Sequence, residues 1–262
     1  MDSLVGLVRR FAVEFMNGHN PDVCRDIMDP DYVLRVGGAV ISGRDAEYLP
    51  AVQQQLDQFP GMVMTVHEVV CATDQIAIHF SEHGASGGAG GPVAAWQGIA
   101  LYRGNGSQLT GCVAEEDYYA RRRQLKSGAV DTVAAPAAAP WDTTPQPPDP
   151  AAEAVVRRWL GDDLPAVGQV RFDDGLTPIQ FESDDIEVNE FMSAGDGVAF
   201  QVRRTGRYLS GLGDTPASTG AIAFNSVGIV RVADGHIVGG QVIRDRAGLA
   251  HRAKGSSTRT QG

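Results

Sequence analysis

The side chains best suited to chemistry in this chain are carboxylates at the ends of alternating runs. The run Gly111 to Leu125, GCVAEEDYYARRRQL, leads into Asp117, with Glu115 two residues before it and Tyr119 two residues after. Residues two apart share one face of a strand, so Glu115, Asp117 and Tyr119 would stand together beside Val113. If that face lines an apolar pocket, desolvation and like charge lift one carboxyl pKa toward neutral, as a general base working near pH 7 requires. The other reading is an acidic strand end paired with the basic exit Arg121, Arg122 and Arg123.

Possible partners lie upstream. His79 and His83 alternate with Ala77 and Ser81, while Glu82 falls on the opposite face with Ile78 and Phe80. Two histidines four apart on a strand reach one pocket, and His83 adjoins the glycine-rich loop SGGAGGP, where a ligand could enter. Tyr119 and His83 are therefore candidate partners of Asp117, with His79 and Glu115 as candidate ligand contacts; surface or interface positions are the competing reading for the histidines. No third ligand is spaced to join them around a metal. Trp96 and Tyr102 share a face across Gly98 and Ala100, which suits a flat slot for a ligand or ordinary packing. The carboxylate run returns near the end as Val238 to Arg252, VGGQVIRDRAGLAHR, placing Asp245 where Asp117 stood.

The elements that would position these residues follow from periodicity. Leu4, Leu7, Val8, Phe11 and Phe15 keep helical spacing behind a cap at Asp2 or Ser3, and Pro21 to Met28 reads as a second short helix. Tyr32 to Ile41 reads as a hairpin bent at Gly37-Gly38, and Leu49, Val52, Leu56 and Phe59 mark a third helix. From Met62 the period changes to two, and four strands are expected, ending at Asp117. Residues 128–150 carry the Pro/Ala-rich stretch GAVDTVAAPAAAPWDTTPQPPDP, a semi-extended linker in which Trp141 is expected to dock on a domain. Beyond it VRRW echoes VRRF, and DGVAFQVRRTG from Asp196 matches DQIAIHFSEHG from Asp74 without a gap, at an offset of 122 residues. His67-Glu68 falls over Asn189-Glu190 at the same offset. This internal repeat divides the chain into a complete domain 1–127, the linker 128–150, a shortened domain 151–252 that lacks part of the helical cap, and a flexible tail 253–262.

The chain has 262 residues and a formal net charge of −10, an acidic balance that argues against general affinity for nucleic acid or an anionic membrane. Cys24, Cys71 and Cys112 are odd in number and far apart, which points to buried thiols in a reducing compartment. With neither a signal-peptide pattern nor an apolar run of membrane-spanning length, a cytoplasmic location is expected.

The order of elements, together with IVGGQVIRDRAGL around Asp245 and GCVAEEDYYARRRQL around Asp117, resembles the SnoaL-like polyketide cyclase branch of the nuclear transport factor 2-like superfamily. The resemblance implies an α+β fold of two cone-like domains, each a curved antiparallel sheet wrapped on helices. Their sheet faces are expected to pack as an intramolecular pseudo-dimer, and the first domain to keep the closed pocket. In that branch a carboxylate on the final strand is the general acid/base, which assigns this role to Asp117, with Asp245 as its counterpart in a more open and wetter site. The chain departs from the branch where a histidine is common, at Ala100 and Gly228. It also lacks the isomerase-type aspartate, whose place falls near Leu34. The expected function is cofactor-free cyclisation, isomerisation or hydration of a hydrophobic carbonyl-bearing molecule, polyketide-like or steroid-like, with no metal. The alternatives are a non-catalytic small-molecule binding module, an epoxide hydrolase of the same superfamily, which needs an Arg between two aspartates that Arg103 does not supply, or a scaffold in which the second half covers the first.

Overall fold

A computed structural model describes residues 3–176 and 178–258. Helix α1 (Leu4–Arg10) starts where the Ser3 hydroxyl accepts the Gly6 N–H at 3.1 Å, and Asp2 lies outside the described residues. The helix widens into a π-helical stretch, Phe11–Met16, that buries Phe11, Phe15 and Met16. Asn20 caps α2 (Pro21–Ile27), whose proline fits because a first-turn N–H has no intrahelical partner. Strands β1 (Met28–Val36) and β2 (Ala39–Ser42) are joined through Gly37 and Gly38, both at positive φ. A π-helical turn, Arg44–Tyr48, then leads into α3 (Leu49–Gln58). The period-two segments form β3 (Val63–Cys71), β4 (Gln75–Ala85), β5 (Val93–Gly104) and β6 (Leu109–Glu116), and Asp117 caps α4 (Tyr118–Ser127).

The first sheet has the order β2-β1-β6-β5-β4-β3. After the linker come α5 (Pro150–Gly161), β7 (Gln169–Phe172), β8 (Gln180–Ala194), β9 (Gly197–Ser210), β10 (Ile222–Ala233), β11 (His236–Arg244) and α6 (Arg246–Thr258). The second sheet has the order β7-β11-β10-β9-β8. The class is α+β as expected, but the sheets are mixed: β1 runs parallel to β6, and β7 parallel to β11. A parallel pair needs a long connection, which the chain between β1 and β6 and between β7 and β11 provides. Residues 253–258 continue α6, so the part of the expected tail that is described is helical; the remainder lies outside the described residues. No described helix is long and apolar enough to cross a membrane.

The repeat is visible in the strand register. A bulge interrupts β3 against β4 at His67 and β8 against β9 at Asn189, the two positions that the offset of 122 superposes. From the next strand on, the offset becomes 128, as from Asp117 to Asp245. Arg103 stands opposite Gln75 as Arg231 stands opposite Gly197. The inner face of the first sheet closes on α1, α2 and α3 in one apolar core, and that of the second on α5 through Val156, Trp159 and Leu160. A third cluster joins the outer faces: Val70, Ala77, Ile99, Leu101 and Val113 of the first half with Met192, Ala199, Val227, Ile229 and Ile243 of the second. Two ion pairs flank it. Glu68 receives Arg231 Nε at 2.6 Å, and Glu190, the repeat counterpart of Glu68, pairs with Arg103.

The linker does not hang free. Ala137 N–H donates to Val66 O and Gln146 N–H to Cys71 O, so it runs along β3, the exposed edge of the first sheet, and covers it. Trp141 packs, partly buried, against the first core, and all three cysteines are buried and unpaired.

Candidate active site

A cavity of about 180 Å³ opens between the inner face of the first sheet and its helices. Its walls are apolar and aromatic, with Phe11, Met16, Val52, Phe80 and Ala100 beside Tyr32, Tyr48 and Tyr102. Two carboxyl groups enter it, Glu82 from β4 and Glu116 from β6.

The sheet pleat brings them together. Glu82 stands opposite Trp96 on β5, and Glu116 opposite Gly98, so both project on the inner side within one repeat of each other. Gly98 is required here, because a Cβ at that position would strike the Phe80 ring and approach Glu116 Cγ at 3.0 Å. Glu82 is 1% exposed, and burial pushes its carboxyl well above the usual range; the adjacent Glu116, close enough to share a proton, pushes in the same direction. Gln55 Nε2 of α3 donates to Glu82 Oε2 at 2.7 Å, and the Trp96 indole N–H donates to Glu116 Oε2 at 3.0 Å. The Tyr118 hydroxyl faces Glu116, and burial together with that carboxyl keeps the phenol protonated. Arg121 of α4 lies over the rings of Tyr118, Trp96 and Phe59 at 4.4, 5.1 and 5.5 Å, and its charge pulls the Glu82 carboxyl down against burial and Glu116.

The sequence-derived candidates are distributed differently. Asp117 is 2% exposed and outside this cavity: its Oδ1 accepts the Ala120 N–H at 3.1 Å as the cap of α4, and both oxygens bind Arg246 of the second half. Burial, followed by the charge of Asp173, raises its pKa to about 6 against the pull of Arg246. Tyr119 lies under the Arg246 guanidinium at 5.1 Å, at the contact of the halves. Asp245 caps α6 in the same manner, accepting from Gly248 N–H at 2.8 Å and from Arg252 at 2.7 Å. Glu115 points to the outer face, and its Oε2 accepts the Gly37 N–H at 3.2 Å.

His79 and His83 are also on the outer face. His79 Nε2 meets Gln97 Oε1 at 3.0 Å, and the Ser81 hydroxyl sits at 2.7 Å from both His83 Nε2 and His67 Nε2. Among the described residues no group of three side chains is arranged to hold a metal. Of the expected ligand contacts, Tyr102 lines the cavity and Trp96 braces Glu116 behind it. An Arg between aspartates does occur, as Arg246 with Asp117 and Asp174, but its side chain is fully buried where the halves meet.

Sequence reasoning passed over Glu82 and Glu116 because it followed the histidine face and the strand-terminal aspartate. The available signal was phase: Glu82 alternates with Ile78 and Phe80, and Glu116 with Cys112 and Ala114. A carboxylate in step with an apolar strand face is buried, and a buried carboxylate needs a reason.

No curated protein matches the chain. Among solved structures it is similar to a protein from Jannaschia sp. CCS1 provisionally assigned as a SnoaL-like polyketide cyclase, at 17% identity and TM-score 0.43, covering 47% of this chain and 91% of that one. IdmH of Streptomyces antibioticus, provisionally assigned as a polyketide cyclase, is 19% identical with TM-score 0.42, covering 46% of this chain and 96% of IdmH. A protein of ketosteroid isomerase-like fold from Catenulispora acidiphila, solved with trimethylamine, is 18% identical with TM-score 0.42, covering 48% and 95%. The family model described as SnoaL-like domain matches residues 8–111, so the first half of this chain carries a SnoaL-like domain.

Proposed function

We propose that the first half is a cofactor-free acid/base catalyst that moves a proton next to a carbonyl group of a small apolar molecule, by isomerisation or ring closure. The observation that carries this reading is the carboxyl pair Glu82–Glu116 in a largely apolar cavity, with no ion pair to either group among the described residues. Two like charges so close cannot both persist away from water, so the pair holds one proton. Trp96 and Tyr118 both address Glu116, which favours the charge there and the proton on Glu82. Glu116 is then the base that removes a proton α to the carbonyl. Glu82, oriented by Gln55, is the acid that hydrogen-bonds the carbonyl oxygen and returns a proton.

Size narrows the substrate. An apolar cavity of about 150 Å³ admits a benzene ring, so about 180 Å³ suits one substituted ring and not a fused tetracycle. The SnoaL-like match supports a small-molecule site of this kind, and the pairing of outer sheet faces is read as an intramolecular pseudo-dimer in which domain 151–252 buttresses domain 1–127.

The test is deuterium exchange at the α-carbons of cyclohexanone and cyclohex-2-enone in D₂O, followed by NMR. Wild-type protein should accelerate exchange and Glu116→Gln should lose it, while a ligand-displacement assay shows cyclohexenone still bound. Binding without accelerated exchange in the wild type would move the protein to the alternative reading, a binding module.

A further inference from the structure

A second cavity lies elsewhere. A cleft of about 450 Å³, within the usual range for ligand sites, lies between the outer faces of the two sheets. Glu115 and Glu116 are consecutive on β6 and point to opposite sides, so one strand delivers a carboxyl to each cavity. We propose that this cleft is a second small-molecule site, which takes a small hydroxylated monocarboxylate with its charged end at Arg35 and Arg203 and its hydroxyls on Glu115, Gln201 and Asn225.

The floor is polar and only partly bonded within the protein. Glu115, Gln201 and Asn225 are 3, 8 and 8% exposed and line the cleft. Asn225 makes no side-chain hydrogen bond among the described residues, and Gln201 makes only a long one, Nε2 to Val202 O at 3.4 Å. Both amides face the cleft, so their donors and acceptors are available to a molecule bound there. Burial, followed by the charge of Asp245, holds Glu115 well above the ordinary carboxyl range, so it presents an O–H.

The mouth fixes the charge. Arg35 and Arg203 are exposed and have no ion pair among the described residues, although acidic residues outnumber basic ones 32 to 22. Glu190 at the rim is already held by Arg103. The free charges facing the cleft are therefore two guanidiniums and Glu187, which stands opposite Arg203 on β8, leaving room for one negative charge.

The repeat supplies an internal control. Asn189, Gln201, Arg203 and Asn225 occupy the positions of His67, His79, Ser81 and Gln97 in the first half. There the four side chains satisfy one another through His67–Ser81 and His79–Gln97, and the linker covers them, His67 Nδ1 donating to Ala135 O at 3.0 Å. One edge of the contact between the sheets is closed by protein; the other keeps its polar groups free.

The full chain should be titrated with sodium gluconate by calorimetry, with sorbitol and inorganic phosphate as controls, while the side-chain amide signals of Asn225 and Gln201 are followed by NMR. Gluconate should bind saturably at millimolar concentration or below and move both signals. The surface variant Arg35→Ala/Arg203→Ala should weaken it by at least about tenfold, the loss of about 1.4 kcal/mol of charge-assisted contact, and Glu82→Gln should leave it unchanged. The proposal is overturned by absence of saturable gluconate binding, by equal affinity for sorbitol or phosphate, or by a gluconate affinity that responds to Glu82→Gln and not to the arginine variant.

Discussion

On the inner face of the first sheet stand Glu82, Trp96 and Glu116; at the matching registers of the second stand Arg204, Phe224 and Arg244. The backbone frame is the same, and the charge is reversed. The arginines are neutralised in place. Arg204 Nη1 pairs with Asp163 at 3.1 Å, and Arg244 Nε with Asp173 Oδ2 at 2.7 Å. Both aspartates adopt positive φ, 63° and 52°, a conformation that costs a non-glycine residue about 1 kcal/mol or more and is kept where the surroundings demand it. Between them α5 fills the space with Trp159 and Leu160 against Phe200. Among the described residues Glu82 and Glu116 make no ion pair of this kind, and three helical segments hold a cavity open in front of them. The same sheet thus carries charged groups in two ways: ion-paired and packed in the second half, and beside a cavity without an ion pair in the first, which is the arrangement the proposed chemistry uses.

The sharpest way to break this comparison is to remove one carboxylate from each kind of place. Glu116→Gln keeps shape and hydrogen bonding but not basicity, and should lower cyclohexenone α-exchange by about 10²–10⁴-fold. Asp117→Asn, outside the cavity, should leave the exchange rate within about twofold. In wild type, exchange should also fall as pH rises past the elevated pKa of Glu82, because the pair then loses its shared proton. Equal losses in both variants would place the chemistry in neither cavity carboxyl.

In the second half the effect should appear in stability. Arg244→Leu leaves Asp173, 1% exposed, with only the more distant guanidinium of Arg246, Nε at 3.6 Å, and should cost about 3 kcal/mol in urea unfolding. Arg244→Leu/Asp173→Leu removes both charges and should recover much of that loss. A double variant no better than the single one would mean that Asp173 is held chiefly by Arg246 and by its bond to the residue-244 backbone N–H at 2.8 Å.

Much of the frame was legible before the structure. Helical spacing from Leu4, the turn at Gly37-Gly38, the change of period at Met62 and the offset of 122 are local or repeated patterns, and each corresponds to an element or a register. The site was less legible, because strand alternation fixes which residues share a face but not which face turns inward. Glu115 and Glu116 differ by one residue and lie in different cavities. Asp117 looked like the end of the strand; one residue later the chain is already helical, and the same carboxylate becomes a cap. Mixed sheets were also hidden, since the pairing of β1 with β6 spans most of the first half.

His79 sharpens the comparison at the outer faces, where its repeat counterpart is Gln201. Burial and the neighbouring His67 hold the His79 pKa down to about 4 from an ordinary 6.5, so the folded protein keeps this imidazole neutral. Between those values the unfolded chain binds the proton and the fold does not, so stability falls as pH falls from 6.5 toward 4, by about 3 kcal/mol in total from this group. His79→Gln, which installs the second-half residue, should flatten the urea midpoint over that window. An unchanged pH dependence would assign the acid sensitivity to His67 and His83, whose pKa values are also lowered by burial.

The smallest effect tests the symmetry itself. If the halves meet about a local two-fold axis, Glu68–Arg231 and Glu190–Arg103 are one contact made twice, since in such an interface residue i meets j and j meets i. Both pairs are partly solvent-exposed, Arg103 by 55% and Arg231 by 34%, so screening limits each to under about 1 kcal/mol. Arg231 also binds Asp196 at 2.7 Å, whereas Arg103 has Gln75 beside it, so the first contact should be the stronger of the two. Double-mutant cycles on Glu68→Gln/Arg231→Gln and Glu190→Gln/Arg103→Gln should each return a favourable coupling of a few tenths of a kcal/mol. The quadruple variant should lose the sum of the two cycles, because the pairs flank the shared apolar cluster from different strands. A coupling in one cycle and none in the other would show that the register repeats while the interface does not, and the two halves would then be better described as packed neighbours than as a two-fold pair.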